Sequence, residues 1–200
     1  MKQFLANTLV KWFKSLGFAG AFRFKILYWA YRFTGWHIRH REWDFVLDYL
    51  PPLAKWQKVC VLDVGCSRNL FDFELKRRGY CIHGIDLESY QDRFPGQFHI
   101  ADIRKFESSN RYDFITCISV LEHIENGQDI SLKNMIKSLN IGGRLLLTIP
   151  TKEFAQGHDW DGFEYKDIED MLPFNQDFKA RILEYTERLG QMCMAIERVS

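Results

Sequence analysis

No run in this sequence stays apolar and uncharged for the roughly 18 residues that a membrane-spanning helix needs. The first 41 residues contain no aspartate or glutamate at all. No Cys-x-x-Cys pair occurs, which removes the commonest zinc pattern. The five cysteines, Cys60, Cys66, Cys81, Cys117 and Cys193, are odd in number and scattered through apolar runs, so they do not read as a disulfide framework. A reducing compartment fits them best. Lys11 and Lys14 interrupt the only stretch that could serve as a signal-peptide core, and no convincing small-residue cleavage site follows it. The expectation is a cytoplasmic protein that can touch a membrane from its periphery. Internal repeats, low-complexity tracts and a second core are all lacking.

What is present is an ordinary globular chain of 200 residues, 46% of them hydrophobic and 16% aromatic. The charge is uneven. Residues 1–41 hold eight of the 27 basic side chains and none of the 26 acidic ones, so the remainder is net acidic. The same segment holds eleven aromatic residues, Trp12, Phe13, Trp29 and Trp36 among them. Aromatic side chains mixed with unopposed basic charge suit an anionic membrane surface. The alternative is a lid packed over the ligand end of the fold, with its aromatics in the core and its cations in water. Single-stranded nucleic acid is the least favoured partner. On this basis residues 1–44 form a basic aromatic helical segment and residues 45–200 the main domain.

Residues 4–16 and 21–34 predict two short helices, and Arg39 to Leu50 a third that Pro51 and Pro52 stop. Strand-like apolar runs follow at Val59–Val64, Tyr80–Ile85, Phe98–Ala101, Phe114–Val120 and Leu145–Ile149. Between them lie helices over Leu70–Arg78, with Ser67 or Asn69 as cap, and Ile130–Leu139, with Gly142 and Gly143 behind it. A further helix is expected near Asp167–Leu172. Lys179–Glu187 and Met192–Val199 read as a hairpin turning at Leu189–Gln191. Alternating strands and helices make an α/β fold: a Rossmann-like, doubly wound, mostly parallel sheet ending in an antiparallel hairpin, with extra N-terminal helices.

Ligands of such sheets bind beyond the carboxyl ends of the strands. Here the loop after the first strand is Asp63-Val64-Gly65-Cys66-Ser67, with one glycine where a dinucleotide fingerprint has three. Its acid would repel a diphosphate and suit a cation. Asp86 ends the second strand, where a carboxylate can accept both hydroxyls of a ribose, and Asp102 follows the third.

In these segments the chain resembles the class I S-adenosylmethionine-dependent methyltransferases, especially the small-molecule branch. The resemblance covers about residues 55–200. Val61–Ser67 looks like the glycine-rich first motif, Gly84-Ile85-Asp86 the second and Ala101-Asp102-Ile103 the adenine-contacting segment. Ser119–Ile124 looks like the motif after the fourth strand, and Ile141–Leu145 like the turn into the fifth. The resemblance implies S-adenosylmethionine as cofactor. Gly65, Cys66 and Ser67 would back its methionine part and Asp63 would hold its amino end. Asp86 and Leu87 would flank the ribose, Asp102 and Ile103 the adenine, and Ser119 and Val120 would close the pocket. Where the family has further glycines, this chain has Ser67 and Asn69; Asn tolerates a left-handed backbone.

Methyl transfer needs alignment and, for a hydroxyl acceptor, a base. The candidates are His123, after the fourth strand, and His158, in Gly157-His158-Asp159-Trp160-Asp161-Gly162 after the fifth. Trp160 could stack on an acceptor. Against these stand a purely structural His123 and an exposed polar turn. No metal is expected: the branch that methylates small-RNA 2′-hydroxyls has Glu-x-x-Glu-His, and Ser119 stands at its first Glu. Cys117-Ile118-Ser119-Val120 also lacks the Asn/Asp-Pro-Pro-aromatic motif of base-modifying relatives. The expected function is methylation, at oxygen rather than another atom, of a small-molecule, glycoconjugate or lipid-linked acceptor. The rivals are a non-catalytic cofactor-sensing or scaffold protein and a membrane-associated accessory module.

Overall fold

The computed structural model describes residues 20–34, 39–54, 56–67, 70–172, 179–188 and 190–200. The helix expected over residues 4–16 lies outside them, as does Asn69. In chain order the elements are α1 (Gly20–Thr34), α2 (Arg39–Tyr49), β1 (Cys60–Val64), α3 (Phe71–Arg77), β2 (Cys81–Asp86), β3 (Gln97–Ile100) and β4 (Tyr112–Ile118). They continue with α4 (Gln128–Ser138), β5 (Leu139–Pro150), α5 (Lys152–Ala155), α6 (Tyr165–Met171), β6 (Ala180–Arg188) and β7 (Gln191–Arg198).

The seven strands form one sheet in the order β3-β2-β1-β4-β5-β7-β6. β1 pairs in parallel with both β2 and β4, β2 with β3, and β4 with β5. The terminal hairpin adds β7 antiparallel to β5 and β6 antiparallel to β7. Strand order reverses between β1 and β4, so the crevice outside their carboxyl ends is where this topology places a ligand.

Successive residues of each strand point to opposite faces. Leu62, Ile115, Leu145 and Met194 pack on one face under α4 and α6, with Met135, Ile136 and Ile168. Val61, Ile82, Leu146 and Ala195 pack on the other, under α1, α2 and α3. Both faces are covered, which is why the central strands read as continuous apolar runs. Each such Val, Leu, Ile or Met side chain, fully buried, contributes about 1.5–3 kcal/mol.

The N-terminal helices belong to this second core. Phe24 of α1 and Trp43 of α2 are buried, with ring centroids 4.9 Å apart, and Trp43 lies parallel to Phe71 of α3 at 6.1 Å. α2 runs unbroken across residue 44. On its outer side α1 leaves Phe22, Lys25 and Trp29 exposed.

Two local expectations change. α3 begins after Leu70, which makes no side-chain cap, so Ser67 is not the capping residue. β5 begins directly after α4, with Leu139 paired to Tyr112. Gly142 and Gly143 fall within an irregularity of the strand and do not precede it. A Cβ on Gly143 would lie 2.9–3.1 Å from three backbone carbonyl oxygens, so glycine is required there.

Candidate active site

A cavity of about 560 Å³ opens at the carboxyl ends of β1, β2 and β4. The loop after β1 forms its floor. Gly65 has φ +67°, and its N–H donates to Ile85 O at 2.9 Å. A Cβ there would meet the Val120 methyls at 2.4 and 2.8 Å. Glycine is therefore demanded twice, by the left-handed backbone and by the approach of Val120. Ser67 also adopts positive φ, +46°, the conformation a glycine would take more readily.

Asp86 ends β2 with both carboxylate oxygens engaged at the cavity wall. Oδ2 accepts from Ser67 N at 2.9 Å, and Oδ1 accepts from Glu88 N at 3.1 Å. These bonds aim the carboxylate and leave lone pairs for further donors. Leu87 is exposed beside it, while buried Ile103 lines the opposite wall. Asp102 also lines the cavity, but its carboxylate sits in the fork of Arg104. Nε donates to both oxygens at 3.0 Å and a terminal nitrogen donates at 2.7 Å. That guanidinium holds the Asp102 carboxyl below the usual range. The other end of Arg104 donates to Glu125 O and Asn126 O, pinning the segment after β4. Arg104 was not singled out from the sequence. Its signal was its place two residues after Asp102.

Asp63 points to the face covered by α3 and is buried; its Oδ1 accepts from Thr116 Oγ1 at 2.5 Å. Asp72, in the first turn of α3, is fully buried beside it. Desolvation and then Asp63 push the Asp72 carboxyl well above its ordinary range. Cys66 is buried between these acids, and desolvation followed by Asp63, Asp72 and Asp86 raises its thiol, so it stays protonated and inert.

Ser119 ends β4 with φ +51°. Its N–H donates to Thr148 O at 2.9 Å. Its hydroxyl donates to Glu42 Oε1 at 2.5 Å, and Thr148 Oγ1 donates to the same oxygen at 2.7 Å. Glu42 comes from α2 and is fully buried. Sequence reasoning missed it because its partners lie 77 and 106 residues away. The carboxylate locks the strained turn that launches Val120 and His123 into the cavity wall.

His123 lines the cavity. Its ring and that of Trp160 meet edge-to-face with centroids 5.8 Å apart, and His158 stacks on Trp160 at 4.1 Å with planes 9° apart. Asp161 N–H donates to Glu122 O at 3.3 Å and Gln128 Nε2 donates to Asp161 at 2.7 Å, which fastens this loop to the β4 end. The two candidate histidines thus meet around one tryptophan. His123 faces the cavity, and exposed His158 flanks it. Among the described residues, no three His, Cys, Asp or Glu side chains converge as a metal set.

The site is thus an acid-rich crevice with a glycine that no other residue can replace and a paired-oxygen acid one strand away. A model of the methyltransferase domain matches residues 35–184, three quarters of the chain. The chain belongs to the methyltransferase-domain family. Within it, the sheet has the fold of the class I S-adenosylmethionine-dependent methyltransferases.

Among curated relatives, the ubiquinone biosynthesis O-methyltransferase of Coxiella burnetii is 28% identical over 119 residues, covering 54% of this chain and 50% of that protein. The chain spans about half the length of the curated relatives it matches. Among solved structures, the N-methyltransferase NodS of Bradyrhizobium japonicum, in complex with S-adenosyl-L-homocysteine, aligns with a TM-score of 0.58 at 17% identity. That alignment covers 80% of this chain and 86% of that one. A TehB-like methyltransferase of Corynebacterium glutamicum aligns at 0.60 with 16% identity, covering 90% and 97%. At these identities the two structures speak for the fold.

The residues present fit S-adenosylmethionine. The cofactor carries no phosphate and needs no three-glycine cradle, its ribose has two hydroxyls for Asp86 at the cavity wall, and its cationic sulfur suits an acid-rich crevice.

Proposed function

We propose that this protein transfers the methyl group of S-adenosylmethionine to a hydroxyl of a small, planar acceptor. The observation that carries this reading is the placement of His123, which lines the cofactor cavity and touches the Trp160–His158 stack. Bound S-adenosylmethionine supplies an electrophilic methyl on a cationic sulfur. Asp86 holds the ribose, and Asp63 the methionine amino end. Gly65, Leu87, Asp102, Ile103 and Val120 line the remaining wall, and Cys66, Ser67 and Ser119 stand in the loops that carry it. The aromatic cluster of Trp160 and His158 beside His123 offers apolar contact for an aromatic acceptor. His123 takes the hydroxyl proton as the oxygen attacks the methyl in line. His158, outward of the indole, orients the acceptor. The O-methyltransferase named among the curated relatives favours oxygen as the acceptor atom.

The test is S-adenosylhomocysteine formation against a panel of phenols, catechols, aliphatic alcohols and amines. Turnover with a phenol or catechol is expected. His123→Asn should lower kcat by about 10²-fold or more, with little change in cofactor affinity. Turnover with amines alone would overturn the oxygen assignment. No turnover by folded, cofactor-bound protein would favour the non-catalytic sensing or scaffold reading.

A second reading concerns where the acceptor comes from. No described helix is long and apolar enough to cross a membrane. Exposed Phe22, Lys25 and Trp29 share one face of α1, within a segment without acids, and this favours peripheral contact with anionic lipid that presents a lipid-linked acceptor. Sedimentation with anionic vesicles at low salt is expected; its absence would remove this reading.

A further inference from the structure

We infer that Arg104 is a positioning residue for the nucleoside half of the cofactor: its guanidinium ties Asp102, after β3, to the turn at Glu125 and Asn126, after β4, and so fixes the wall against which the adenine lies. The inference rests on the cofactor site described above and adds to it a residue and a changed role for Asp102.

Residues 101–104 and 123–126 both line the cavity. In the sheet β2 and β1 stand between β3 and β4, so these two segments are joined by side chains. Asn134 of α4 holds one backbone, its amide donating to Ile103 O and Arg104 O, both at 2.9 Å. The Arg104 side chain holds the turn. Its Nη1 donates to Glu125 O at 2.9 Å and to Asn126 O at 3.2 Å. Both carbonyls precede Gly127, the cap of α4, so the first helical N–H groups do not serve them. Asn126 and Gly127 both have positive φ, +54° and +104°. A Cβ on Gly127 would lie 3.1 Å from Arg104 Cδ, so the turn is shaped around the arginine.

The other end of the guanidinium occupies Asp102. Oδ1 accepts from Arg104 N at 2.9 Å and from Nε at 3.0 Å, and Oδ2 accepts from Nε at 3.0 Å and from Nη2 at 2.7 Å. A carboxylate offers about four acceptor sites, and these contacts engage them. Asp102 is therefore committed to Arg104 and does not itself grasp the adenine amino group. The pair lies partly in water, with the Arg104 and Asp102 side chains 37% and 20% exposed, so it adds little to stability. Its use is geometric. A wall held in place before binding needs no ordering when the ligand arrives. The planar fork matters here, because one end must meet a carboxylate while the other meets two carbonyls. A lysine supplies the charge without the fork.

The experiment is titration calorimetry of the whole chain with S-adenosylhomocysteine and with 5′-methylthioadenosine, which keeps the nucleoside and lacks the amino-acid arm. Arg104→Gln is expected to weaken both ligands by the same factor, about tenfold or more. The melting temperature of the ligand-free variant should fall by no more than about 4 °C. Arg104→Lys should fail to restore the affinity. Asp102→Asn should weaken both ligands to a similar extent, and the double variant no further than either single one. Unchanged affinity in folded Arg104→Gln would overturn the inference, as would full rescue by lysine. Additive losses in the double variant would also overturn it, since Asp102 would then meet the adenine by itself. A loss confined to S-adenosylhomocysteine would move Arg104 to the methionine arm and overturn it too. Absence of any binding by the folded, unaltered chain would instead refute the cofactor site, and this inference with it. If Arg104→Gln fails to fold, Arg104→Lys decides: weakened 5′-methylthioadenosine binding supports the inference and full affinity overturns it.

Discussion

Under α4 and α6 the sheet is packed with hydrocarbon: Leu62, Ile115, Leu145, Leu147 and Met194 are buried against Met135 and Ile136. Under α1, α2 and α3 the same strands bury Val61 and Leu146, but beside them lie Asp63, Thr116 and Thr148, with Asp72 and Glu42 reaching in from the helices. The first face is built for stability. The second spends some of that stability on three buried acids at its carboxyl edge. Thr116 donates to Asp63, and Ser119 and Thr148 donate to Glu42.

Four changes would break or sharpen this contrast. The largest effect is expected on the hydrocarbon face. Leu145→Ala should destabilise the fold by about 2–5 kcal/mol, seen as a lowered melting temperature, with cofactor affinity of the remaining folded protein unchanged. Equal damage to affinity would show that the faces are not separable.

On the site side, Asp86→Ala should weaken S-adenosylhomocysteine binding by about 10²-fold, since two charge-assisted hydrogen bonds are lost, while the melting temperature of the ligand-free protein changes little. Calorimetry reads the first and thermal melting the second.

Asp72→Asn should act in the opposite sense to a core truncation. The folded carboxyl holds its proton above the pH at which the unfolded one, near 4, releases it. Stability from this group is therefore complete at low pH and falls as pH rises toward the folded value. The amide has no such cost, so the variant should match the unaltered chain only below about pH 4 and exceed it by about 1 kcal/mol or more at pH 8. Denaturant melts at the two pH values check the sign. A variant less stable at pH 8 than at pH 5, relative to the unaltered chain, would reverse the argument.

The smallest change in stability is expected outside both faces. Trp29→Ser on exposed α1 should leave the melting free energy within about 0.5 kcal/mol. If α1 contacts lipid, it should still reduce co-sedimentation with anionic vesicles several-fold.

Much of the architecture was legible because both faces of the central strands are buried. Val59–Val64 and Leu145–Ile149 read as strands since nearly every position had to be apolar. The punctuation between them, Gly79 and the prolines after α2, matched the real element ends. The misread points were those where backbone pairing overrode local signals. Gly142 and Gly143 mark a turn by composition, yet β5 already pairs with β4 at Leu139 and absorbs them. Ser67 looks like a helix cap, yet its backbone is bent to positive φ and its N–H is given to Asp86.

The candidate site divides in the same way. Gly65, Asp86 and Val120 lie at strand ends, and the topology brings those ends together at the cavity. This much the sequence determined by itself: the alternating pattern, the order of the elements and the acids at their carboxyl termini, since periodicity and spacing are local properties. Three arrangements were decided by tertiary structure alone: Glu42 under Ser119 and Thr148, Asp72 against Asp63, and Trp160 between His123 and His158. Each depends on how a helix or loop lies against the sheet, which packing sets over distances that no local pattern encodes.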